Sequence, residues 1–159
     1  MTATAHALIG ASIAVIVINP WLGIPLAIIS HILADLIPHW DPATNRRQKT
    51  AFRLRAEAVL DVVLGFALTF LIFRNIVDLN YLLVMVIAAQ FPDWMESPFV
   101  MFNIKVPPFT WAYWVGHNLQ TKMQLPWGLV TQIVTVGLVV AFTLTSTGNI
   151  NQIIANTIR

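Results

Sequence analysis

Five apolar runs, at residues 3–18, 21–38, 56–73, 79–94 and 127–147, dominate this chain of 159 residues. A bilayer core of about 30 Å takes about 20 apolar residues to cross as a helix. By that measure the last run is comfortable, while the first, second and fourth are short, which implies tilt or local thinning. Inside lipid every backbone N–H and C=O has to be satisfied within the segment, and a helix does this. The predicted fold class is therefore all-α: a single domain over residues 1–159, built as an integral membrane helical bundle of about five transmembrane helices. Composition agrees, since 10% of the residues are charged against about 25% in soluble domains. The chain has no cysteine, which excludes disulfides, iron–sulfur clusters and thiol catalysis.

Asn19-Pro20 is a turn signal between the first two runs, and so brief a gap demands a tight helical hairpin. The N-terminus lacks the basic region and cleavage site of a signal peptide, so the first run is expected to stay in the mature protein. Five spans put the loop 41–55 and the stretch 97–124 on the side of the N-terminus. That side carries Arg46, Arg47, Lys49, Arg53, Arg55, Lys105 and Lys122, and the other only Arg74 and Arg159. The positive-inside rule then places the N-terminus and both long loops in the cytoplasm, at the plasma (inner) membrane. Segment 99–115 is apolar and aromatic but interrupted by Pro107-Pro108. It is expected to be interfacial or re-entrant rather than a sixth span.

Hydropathy and Lys/Arg counts alone set this topology, so the placement of the other ionisable residues is a nearly independent observation. His6, His31, His39 and His117 all fall on the cytoplasmic side, with Asp35, Asp41, Glu57, Asp61, Asp93 and Glu96; only Asp78 lies opposite. His31 and Asp35 are four apart and share a helix face, as do Glu57 and Asp61. Asp61 sits about 6 Å deeper than Glu57 along the axis. A carboxylate facing lipid at that depth costs up to about 3 kcal/mol, so it should face the bundle and have a partner. A divalent cation satisfies several such groups together.

Blander roles compete. His6 suits an interfacial histidine and His117 a helix start. Asp93 and Glu96, beside Pro92 and Pro98, suit solvated acids at a helix exit. Glu57 suits a helix dipole. The run Arg46–Arg55 serves first as topology determinant and anchor for anionic membrane lipids, and second as a phosphate grip, because a planar guanidinium fork matches phosphate. With only Phe52 available for stacking, nucleic acid is not expected as a partner. An internal echo pairs residues 34–41 with 89–96, each ending an apolar run in Pro-x-Trp and a nearby acid. It implies that helices two and four are related by a parallel repeat and contribute to one polar centre.

HALIG at 6–10 and SHILADLIPHWD at 30–41 resemble the small membrane-bound metal-dependent hydrolases, a group that includes the LexA-binding hydrolases of the inner membrane. The likeness covers about the first third of the chain. More distantly, His31, Asp35, Pro38 and His39 follow the order of a helical zinc motif in the zinc-dependent phospholipase C superfamily. The proline-to-histidine spacing is shorter here, and the second His-x3-Asp/Glu motif of those enzymes is absent. The resemblance implies a metal-dependent hydrolase acting on phosphoesters.

Together these features give an expected site: His6, His31, Asp35 and Asp61 as leading ligands, His39 and His117 as further ones, and Glu57 as general base. Arg46, Arg47 or Arg53 would hold an anionic lipid or membrane-linked phosphoester. Imidazole and carboxylate donors without thiolate suit Zn²⁺, with Mn²⁺ or Mg²⁺ as carboxylates accumulate. The rival expectation is a non-enzymatic membrane protein with a structural metal or polar cluster, or an ion or proton transporter.

Overall fold

The computed structural model describes the backbone of residues 1–157 and the side chains of residues 1–148. Arg159, one of the two far-side cations counted above, lies outside the described residues. The elements are α1 (Ala3–Ile16), α2 (Pro20–Asp35), a 3-10 turn at Arg46–Gln48, α3 (Ala51–Phe73), α4 (Leu79–Phe102), α5 (Phe109–Leu119) and α6 (Trp127–Thr157). The fold is all-α. Two helices, α3 and the Trp127–Gly148 part of α6, are long and apolar enough to cross a membrane, and α1 and α2 are shorter apolar helices.

The first four α-helices start where the sequence supplies a cap. Thr2, Asn19, Thr50 and Asp78 accept from the first free N–H groups of α1, α2, α3 and α4. The second expected span, 21–38, ends as a helix at Asp35, because Pro38 disfavours helical backbone at the residue before it. The third begins at Ala51 rather than 56, set by Thr50.

The expected helix exit at Pro92 and Pro98 is a correction: α4 runs through both prolines to Phe102. Pro98 has no N–H to give to the Trp94 carbonyl, and the Ser97 hydroxyl supplies that bond instead at 3.0 Å. Asp93 and Glu96 therefore lie within the helix and not on a solvated exit. Segment 99–115 divides into the last turn of α4, an irregular link and the start of α5. With 11 residues, α5 is too short to cross a bilayer. It leaves Trp111 and Trp114 exposed.

α1 sits at the centre, packed on α2, α3, α4 and α6. Its small residues allow this: Ala7, Ala11 and Ala14 are buried, and a Cβ on Gly10 would lie 2.6 Å from the Ala89 Cβ. Up-and-down packing brings the starts of α1, α3 and α6 to the same end as the later turns of α2 and α4. Thr2 N donates to Gln132 Oε1 at 2.8 Å, and Ala3 N to Asp61 Oδ2 at 2.7 Å. The chain after α2 is held there by backbone bonds to the link before α6: Thr121 N to Asp35 O, His39 N to Thr121 O, Met123 N to His39 O and Trp40 N to Gly128 O, at 2.7–3.1 Å.

Candidate metal centre

Five side chains meet at that end: His6 from α1, His31 and Asp35 from α2, His39 just beyond it, and Asp93 from α4. The imidazoles of His6 and His31 stack at 3.7 Å between centroids and 17° between planes. His6, His31, His39 and Asp35 are all buried.

Two of the rings have a fixed tautomer. His31 Nδ1 lies 2.7 Å from the Ala89 carbonyl and His39 Nδ1 2.8 Å from the Ile37 carbonyl. A carbonyl only accepts, so both Nδ1 atoms carry hydrogen and Nε2 is the nitrogen turned inward. Burial pulls His39 down to about 4, so its ring is neutral at pH 7 and Nε2 bears a lone pair. That lone pair is not spent within the protein: His39 Nε2 and both ring nitrogens of His6 are buried without a hydrogen-bond partner.

The inward nitrogens face carboxylate oxygens. His6 Nε2 is 3.2 Å from Asp35 Oδ1, His31 Nε2 is 3.5 Å from both Asp35 Oδ2 and Asp93 Oδ1, and His39 Nε2 is 3.7 Å from Asp35 Oδ1. Charge-assisted hydrogen bonds run at about 2.7–2.9 Å, so most of these separations are too long for that. They match something else. Two ligands each about 2.05 Å from one tetrahedral ion stand about 3.4 Å apart. Acceptors facing acceptors at that spacing, all buried except the partly exposed Asp93, call for a cation between them, and His6, His31 and Asp93 form a group that could hold one. The cation the structure does place against Asp35 Oδ1 is the Met1 ammonium. Burial pulls that amine down to about 5, which weakens it as a counter-ion at pH 7.

A cavity of about 490 Å³ adjoins the centre: Asp93 lines it, as do Met1 and Asp41, which lie against Asp35 and His39. Asp41 is fixed by Lys122 Nζ at 2.9 Å and by the Thr44 hydroxyl at 2.9 Å. Arg46, Arg47, Lys122 and His117 give it a polar lining, and Leu54, Ala58 and Val62 of α3 with Val100 and Met101 of α4 an apolar one.

The remaining expected site residues divide between this cavity and other tasks. Asp61 lines it and faces the bundle, where it is occupied by the start of α1, accepting from Ala3 N at 2.7 Å, Thr4 N at 3.1 Å and Thr4 Oγ1 at 2.8 Å. His117 is exposed, stacked on Tyr113 at 5.4 Å. Glu57 stands outside the cavity lining, between Lys49 Nζ at 2.6 Å and Arg53 Nε at 2.7 Å. Arg53 is committed to that pair, and Arg55 to the Met101 carbonyl at 3.0 Å.

Asp93 and Lys122 carry more of the site than their sequence context suggests. Asp93 had one usable signal, the Pro-x-Trp echo with the second run. Lys122 had none, because its place depends on the bridge that pairs it with His39. No protein-family model, curated protein or solved structure matches this chain.

Proposed function

We propose that this chain is an integral protein of the plasma (inner) membrane, with about five crossings and a cytoplasmic N-terminus, and that it hydrolyses a lipid or membrane-linked phosphoester at a divalent metal site on that face. The observation that carries this reading is the convergence of inward Nε2 atoms and buried carboxylates at ligand-to-ligand spacing, beside a cavity with both a basic and an apolar wall. The donor set of imidazole and carboxylate suits Zn²⁺ first, then Mn²⁺ or Mg²⁺. The chemistry a divalent ion supplies in such a site is Lewis acidity toward water and a phosphoryl oxygen.

The protein's own residues do the rest. His31 and His39 are oriented by the carbonyls of Ala89 and Ile37, the outer contacts that hold a ligating imidazole in one tautomer. Asp35 and Asp93 bring carboxylate oxygens to one point, where the Met1 amine lies against Asp35. Lys122 holds Asp41 at the cavity wall. Arg46 and Arg47 present guanidinium to an anionic group.

The test is metal content of the purified protein, followed by a phosphoester and phospholipid hydrolysis screen with added Zn²⁺ or Mn²⁺. Near-stoichiometric metal with metal-dependent turnover supports the reading. Tight metal without turnover, coupled to melting on metal removal, assigns the centre a structural role joining α1, α2 and α4.

A further inference from the structure

The basic run 46–55 divides into used and unused charges. Lys49 and Arg53 are both paired with Glu57, and Arg55 is bonded to a carbonyl. Among the described residues, Arg46 and Arg47 meet no carboxylate, and both line the cavity. Arg46 is also held in place. Its Nη2 donates to the Tyr113 hydroxyl at 3.2 Å, and its guanidinium lies 5.2 Å from that ring's centroid. The turn that carries it is pinned by a two-way amide pair, Asn45 Nδ2 to Gln124 Oε1 at 2.7 Å and Gln124 Nε2 to Asn45 Oδ1 at 3.1 Å. The rest of the Arg46 fork is left for a ligand.

Two free guanidinium groups beside a cation centre suit a dianion better than a monoanion. A phosphomonoester at pH 7 carries about −1.5 to −2 and offers three acceptor oxygens. The α3 and α4 part of the lining is apolar. Leu54, Ala58 and Val62 recur every fourth residue and make one stripe along α3, about 12 Å long by helix rise. Both α3 and α4 are packed chiefly on α1 rather than on each other, and Val59 and Val63, next around α3 from the stripe, are exposed. The apolar part of the lining therefore adjoins an apolar exterior.

We infer that the cavity binds a lipid phosphomonoester, its phosphate on Arg46 and Arg47 and a single hydrocarbon chain lying in the cleft between α3 and α4. This rests on the hydrolase reading above and narrows its substrate class. Asp41, Asp61, Asp93 and Glu96 share the cavity with the phosphate, so binding requires the centre to be metal-loaded first.

The experiment is calorimetric titration of the metal-loaded protein in detergent with lysophosphatidate, glycerol 3-phosphate and lysophosphatidylcholine, with metal content measured on the same samples. Lysophosphatidate should bind at least about tenfold tighter than either of the others, which lack the chain or the dianion. R46A should weaken lysophosphatidate by about tenfold or more, the equivalent of one charge-assisted hydrogen bond. A58W should remove the advantage of lysophosphatidate over glycerol 3-phosphate while leaving metal content and melting temperature unchanged. Equal affinities for the three ligands, or wild-type binding by R46A, at full metal content, overturn this inference and leave the metal centre standing. Protein that takes up no metal overturns the hydrolase reading itself.

Discussion

His31 Nε2 stands 3.5 Å from Asp93 Oδ1 across the α2–α4 interface, while the other nitrogen of the same ring is bound to the Ala89 carbonyl. Backbone from α4 thus aims a ring from α2 at a carboxylate one turn further along α4. Asp93→Asn keeps the size of the side chain and removes its charge. It is expected to lower metal affinity by roughly 10–100-fold or more, read by competition with a chelator, with little change in the melting temperature of metal-free protein. Unchanged affinity would place Asp93 outside the ligand set.

Asp61 should respond in the opposite way. Its oxygens accept three bonds at the start of α1, and a carboxylate there also complements the helix dipole. Asp61→Ala is expected to cost about 1–3 kcal/mol through the donors it orphans, seen as a lower melting temperature, while metal content per folded protein is retained. Loss of metal at full stability would instead make Asp61 a ligand.

Glu57, four residues before Asp61 at the start of the third run, is the expected general base. Both of its oxygens are engaged by cations, and the pair is partly exposed, so Glu57→Gln should change stability by about 1 kcal/mol or less. Metal content should not change. A profile of hydrolysis against pH that loses its acidic limb in Glu57→Gln would return the residue to a catalytic role.

The contact at Gly10 sets the distance between α1 and α4. A methyl group there meets Ala89 Cβ at 2.6 Å and the Met85 carbonyl oxygen at 2.8 Å. Gly10→Ala is expected to cost about 1–3 kcal/mol by overpacking. It should also weaken metal binding, since Ala89 supplies the carbonyl that orients His31. Thermal melting and metal titration of the same variant check both effects.

His39 gives a pH dependence of known sign. Its folded value lies near 4, lowered by burial, and an unfolded histidine lies near 6.5. Between those values the unfolded chain binds the extra proton, so stability rises with pH across that window and is lost as pH falls from about 6.5 toward 4. Metal-stripped protein should show this slope in melting temperature, and His39→Asn should flatten it. Equal slopes in the two proteins would mean that His39 titrates normally.

Much of the site was legible because helical spacing needs no tertiary knowledge. His31 and Asp35, four apart, could be placed on one face, and the hydropathy pattern put His6 and His39 at the same end. What periodicity cannot show is which partner a buried acid will choose. Asp61 and Asp93 look alike in sequence, each a carboxylate within an apolar helix, yet one meets the free N–H groups of α1 and the other an imidazole. The prolines of α4 misled for a related reason. A lost backbone bond normally ends a helix, but Ser97 replaces the one that Pro98 removes, and packing against α1 holds the rest.

The most direct measurement is X-ray absorption at the metal edge of the purified protein. A single divalent ion in a nitrogen and oxygen shell at about 2.0–2.1 Å, with imidazole scattering from at least two rings that is lost in His31→Ala, Asp93→Ala, is the expected result. No bound metal, or a shell without imidazole, would contradict a cation held among His6, His31, His39, Asp35 and Asp93.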